Sequence, residues 1–208
     1  MGHETTLQAF PESWEVIVQM RSGALKATEI QSVIHYFSWL RRNKDDVDPS
    51  MFYAASLDDA EYVSLLETAK HLLDSDRRYL WRFCDLDRKY AVLNFLLAEY
   101  AETPADQKAF ADAICGAEPF FKNATATQGH PIMWNDTNTT REIYSKLTAV
   151  EFADVIRHIR TEKYLNATLY KKGSGHVYES FLHEYFMALK EYYRLAAFNN
   201  CATAIVVD

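Results

Sequence analysis

Residues 177–207, "VYESFLHEYFMALKEYYRLAAFNNCATAIVV", decide the fold. Tyr178, Phe181, Leu182, Tyr185, Leu189, Tyr192 and Ala196 recur at intervals of three, four and seven, so one apolar stripe runs along a long helix from about Val177 to Phe198. Asn199-Asn200 then supplies a residue type that tolerates the left-handed turn ending a helix. "ATAIVV" follows as a short β-branched apolar run, the composition of a buried strand. A helix feeding a strand in this way calls for a sheet with helices against it.

Working outward, "WEVIVQM" (14–20) alternates Trp14, Val16, Val18 and Met20 with Glu15, Ile17 and Gln19, which predicts a second strand near the other end of the chain. Helical patterns fill the space between. Thr28 and Gln31 form a capping box ahead of Ile30, Val33, Ile34, Phe37 and Leu40. Ser56 caps a second stripe of Tyr62, Leu65, Leu66, Ala69, Leu72 and Leu73. In "CDLDRKYAVLNFLL" (84–97), Asp85 suits the N-cap and Asp87 the first turn of a third helix, whose inward face carries Tyr90, Leu93 and Leu97. Asn94 falls on the same side, as a polar organiser of the core. Thr103-Pro104 starts a fourth helix and Gly116 ends it. Residues 117–140 read as a long irregular loop, "REIYSKL" as a short extended piece, and Thr148 with Glu151 as the box of another helix with Phe152, Val155, Ile156 and Ile159 inward. The expectation is an α+β fold: one mostly helical domain over 1–208, with a small sheet that includes the N- and C-terminal strands.

Several of these segments together resemble a known family. "LDRKYAVLNFLL", the helix end "ICG", "IYSKLTAVEFADVIRHI" and the closing helix–strand resemble the YfbM-like family of bacterial proteins, a domain of unknown function, over residues 84–208. The resemblance implies a mixed α+β fold with a small sheet and brings no established catalytic residues. The family typically has Trp at the position of Tyr90, His at that of Asn94 and a second Gly at that of Ala117. An amide at 94 cannot shuttle protons as an imidazole does.

Composition narrows the function. Lys and Arg number 22 against 29 Asp and Glu, for a net charge of −7, which argues against a phosphate-backbone binder. Cys84, Cys115 and Cys201 form no C-x-x-C pair, and the two "HE" dipeptides lack the second His of a zinc-protease helix. Six glycines leave no phosphate-cradling loop, so no metal or cofactor is expected. The start lacks the pattern of a secretory signal and no long apolar run suggests a membrane span, so a cytoplasmic protein is expected; that it is bacterial is what the resemblance implies. The expected function is non-enzymatic: a protein-binding domain, most concretely an immunity protein that neutralises a toxin with a basic surface. Its candidate contacts are Asp45, Asp46, Asp48, Glu118 and Asp136 on loops, with Phe120, Phe121 and Trp134 as aromatic anchors. The alternative is a small enzyme or ligand binder with a polar pocket at Asp87, Tyr90, Asn94 and His130 beside the 117–140 loop.

Overall fold

The computed structural model describes residues 5–14, 17–18, 21–22, 83–120 and 132–207. In chain order these give β1 (Thr5–Phe10), β2 (Phe83–Asp87), α1 (Tyr90–Tyr100), α2 (Pro104–Cys115), β3 (Glu118–Pro119), β4 (Met133–Asn135) and α3 (Thr137–Thr148). Then follow α4 (Phe152–Ile156), a 3-10 turn (Arg157–Arg160), α5 (Glu162–Asn166), α6 (His176–Phe198) and β5 (Ala202–Val207). The five strands form one sheet in the order β2-β1-β5-β4-β3, antiparallel at every pairing. The fold is α+β, and the strands from both ends of the sequence pair with each other: Leu7 lies opposite Ile205 and Ala9 opposite Thr203.

β5 lies at the centre of the sheet and is buried along nearly its whole length. Strand alternation sends Leu7, Ala9, Thr203 and Ile205 to one face and Thr6, Gln8, Phe10, Ala204 and Val206 to the other, and all of them are buried. A sheet covered on both faces explains why "ATAIVV" is a continuous apolar run instead of an alternating one. The first face carries the helices. Leu182, Phe186, Leu189, Tyr193 and Ala196 form the buried stripe of α6, packed in one cluster with Val92, Leu93, Leu96 and Leu97 of α1 and Ile143 and Leu147 of α3. The second face holds Ile17 and two aromatic pairs, Phe10 with Trp14 (6.3 Å) and Phe120 with Trp134 (5.0 Å).

The helix boundaries follow local chemistry. Thr103 caps α2 by accepting from the Asp106 N–H (3.1 Å), with Pro104 at its first position. Gly116 ends it with φ +79°, where a Cβ would collide with Met133. Asn200, with φ +57°, makes the left-handed turn between α6 and β5.

Several expectations from the sequence need correction. The N-terminal strand is Thr5–Phe10, not 14–20; the Val18 N–H bonds the Trp14 carbonyl and the Ser22 N–H the Val18 carbonyl, both at 3.0 Å, which is helical spacing. Asp85 and Asp87 belong to β2, and the third helix begins only at Tyr90 with Lys89 at its cap. "REIYSKL" lies inside α3. Thr148 bonds back to the Tyr144 carbonyl (2.8 Å) and ends α3; Glu151 precedes α4 without a side-chain cap. Three elements, β3, β4 and the start of α3, fall within 117–140, expected to be irregular throughout. The helical patterns at 28–44 and 56–73 lie outside the described residues.

Candidate functional site

The C-terminal end of β2 meets the flank of α6 in a corner that gathers carboxylates and apolar surface. Cys84 and Leu86 point into the core, so strand period turns Asp85 and Asp87 away from it. The Asp85 side chain accepts the Asp87 N–H at 2.8 Å, and Asp87 adopts φ +45°, a left-handed conformation that Asp tolerates better than most residues. The Lys89 N–H returns to the Leu86 carbonyl (3.0 Å), closing the turn that launches α1. This local bonding holds two carboxylates at an edge of the sheet.

Tyr185 of α6 faces them. Its hydroxyl is pushed above the usual phenol range, first by burial, then by the charges of Asp87 and Asp85, by a hydrogen bond to Asp87 and by Glu184. Three carboxylates therefore stand within electrostatic reach of one phenol. Along the same stripe of α6, Phe181 precedes Tyr185 by four and Val177 precedes Phe181 by four. Both are exposed, Val177 to 73% and Phe181 to 50%, which corrects the inward placement of Phe181. The Lys89 ammonium lies 4.7 Å from the Tyr178 ring centroid and closes one side. Chemically the corner offers apolar anchoring area beside negative charge.

The residues singled out from sequence are dispersed. Asp87 lies in this corner; Tyr90 opens α1 half-buried, and Asn94 is half-buried, not a core residue. His130, Phe121, Asp45, Asp46 and Asp48 lie outside the described residues. Phe120 and Trp134 are both 0% exposed, so these two support the sheet and present no surface to a partner. Arg21 stacks over them, 4.6 Å from the Trp134 ring and 5.5 Å from that of Phe120, and pairs with Glu118 at 2.7 Å. Asp136 caps α3, accepting the Thr139 N–H at 2.7 Å. Burial opposes its charge, but the hydrogen bonds from Thr139 and Asn138 and the charge of Arg21 outweigh it and hold its carboxyl below the usual range. Tyr185, Glu184, Phe181 and Val177 were missed as site residues. The signal that finds the strand is the period-two alternation of Phe83, Asp85 and Asp87 with Cys84 and Leu86.

Among the described residues no group of three or more His, Cys, Asp or Glu is arranged to hold a metal ion, and no helix is long and apolar enough to cross a membrane. The model of a family described as a domain of unknown function (DUF1877) matches residues 53–206. No curated protein matches the chain. Among solved structures it is similar to the crystal structure of a protein of unknown function, YfbM, from Escherichia coli. The identity is 14%, the match covers 72% of this chain and 94% of that one, and the TM-score is 0.43.

Proposed function

Given a chain that belongs to the family described as a domain of unknown function (DUF1877), the YfbM-like family, we propose that it acts by binding another protein, not by catalysis. In its most concrete form it is a bacterial immunity protein of the cytoplasm that occupies the basic surface of a toxin. One observation carries this reading: Val177 and Phe181 stand exposed on α6 beside the carboxylates grouped around Tyr185. Apolar side chains provide the desolvated centre of an interface, and flanking charge of one sign steers a partner of the other. The net charge of −7 extends the same field over the molecule.

The test is affinity purification from the native host with the wild-type chain and the variants Phe181→Arg and Asp85→Lys as baits. The reading expects a basic partner held by the wild type and lost by Phe181→Arg, with an association rate that falls as salt rises and falls further in Asp85→Lys. A basic partner retained equally by all three baits moves the interface elsewhere. A protein turned over chemically by the wild type ends the binding-only reading.

A further inference from the structure

On the other flank of α6 the chain forms a pocket of about 330 Å³, walled by Ile159, Arg160 and Leu165 on one side and by Ser174, Gly175, His176 and Glu179 on the other. Residues three apart on a helix share a flank, so His176 and Glu179 face this pocket while Val177 and Phe181 face the corner described above. The volume lies at the small end of small-ligand sites, and Ile159 and Leu165 give it apolar walls. Leu165 remains 60% exposed there.

The charge of the pocket mouth is the second observation. Its lining holds one cation, Arg160, one carboxylate, Glu179, and His176; the other cations of residues 152–179, Arg157, Lys163, Lys171 and Lys172, lie around it without lining it. Several of these cations are committed elsewhere. Arg157 pairs with Asp154 and Lys163 with Glu99. Lys172 donates to the carbonyls of Leu165 (2.9 Å) and Ala167 (2.7 Å) at the end of α5. Arg160 lines the pocket: its side chain is 75% exposed and pairs with Glu179 at 3.6 Å, an ion pair longer than a hydrogen bond. A guanidinium carries five donors, so the one nitrogen turned to Glu179 leaves others for a ligand. Glu179 is 19% exposed and lies 3.9 Å from His176, so negative charge is placed on the inner side and the more exposed cation on the outer. α6 also begins at this mouth with Gly175 and no side-chain cap. That helix end adds positive potential at the same place, though it would not select a ligand by itself.

We propose that this pocket binds a small monocarboxylate with a short unbranched apolar chain. The chain lies on Ile159 and Leu165, and the carboxylate accepts from Arg160 at the mouth, away from Glu179. A dianion is disfavoured by Glu179, and a bare carboxylate leaves the apolar walls uncovered.

The full chain, labelled with nitrogen-15, is titrated with sodium hexanoate, hexylammonium chloride, hexan-1-ol and sodium acetate while amide signals are followed. Hexanoate is expected to give saturable shifts confined to residues 159–179, with the other three probes weaker by at least about tenfold, the scale of a charge-assisted hydrogen bond or a buried alkyl chain. Arg160→Gln and Leu165→Ser change exposed positions, and each is expected to weaken hexanoate to a similar degree with remote amide signals unmoved. Should either variant fail to fold, the comparison of probes on the wild type still decides. Hexylammonium binding as tightly as hexanoate, hexanoate binding unchanged in Arg160→Gln, or no saturable shift in this segment would each overturn the proposal.

Discussion

At the scale of the residue, Asn135 shows how a single buried amide ties three elements together. Its side chain accepts the Ala117 N–H (2.8 Å) and donates to the Asp112 carbonyl (2.7 Å) and the Tyr193 hydroxyl (3.1 Å), while the Tyr193 hydroxyl donates to the Ala113 carbonyl (2.9 Å). Asn135→Leu leaves the end of α2 and the Tyr193 hydroxyl short of partners at a site that is 0% exposed. A loss of about 3 kcal/mol is expected from urea denaturation, against about 1 kcal/mol for Tyr193→Phe. Asn94 provides the contrast. From sequence its position four after Tyr90 makes it an organiser of the core, yet it is half-buried. Asn94→Leu should therefore shift the urea midpoint by no more than about 0.5 kcal/mol. Helical period identifies which side of a helix a residue occupies, but it does not tell how deep that side is covered. Asn135, the last residue of the three-residue strand β4, has no period around it from which its burial follows.

Secondary-structure elements were legible where local chemistry alone sets them. The Thr103-Pro104 start of α2, its Gly116 stop, the full length of α6 and the Asn200 turn all rest on residues a few positions apart. The misreadings are of another kind. "WEVIVQM" alternates, yet its described part has helical hydrogen bonding, with Ile17 buried and Val18 beside it 55% exposed. β2 was hidden because Asp85 and Asp87 resemble helix caps, a resemblance that outweighed their alternation with Cys84 and Leu86; in the fold they pair with β1. The candidate corner was correspondingly half legible: Asp87 was singled out and Asp85 was read as a helix cap, whereas Tyr185 and Glu184 come from a helix about a hundred positions further on. Asp136, expected to reach a partner, caps α3. A carboxyl held below its usual range in the folded state stabilises the fold above that range, and this contribution is lost as pH falls through the folded value. Asp136→Ala should cost about 1 kcal/mol near neutral pH as a lost cap, and the gap to wild type should narrow in acid, as followed by urea denaturation across pH.

For the whole molecule the decisive fact is the position of β5 between β1 and β4. Deleting residues 201–207 removes the partner of both neighbours, together with Cys201, Ala202, Ala204 and Ile205 from the buried interior. A total stability of about 5–15 kcal/mol does not survive that loss, so the shortened chain should show no cooperative melt by circular dichroism. An unchanged melting transition would contradict the sheet order given above. Pairing residue 5 with residue 207 also closes nearly the longest loop the sequence permits, which slows folding relative to a bundle of local contacts. Of the described strands, the ribosome makes β1 first and β5 last. A nascent chain halted before Cys201 has emerged therefore holds a sheet without its middle, with β1 and β4 waiting for the same missing neighbour. Resistance to protease should appear in one step once β5 clears the exit tunnel, and until then the strand edges are substrate for a holding chaperone.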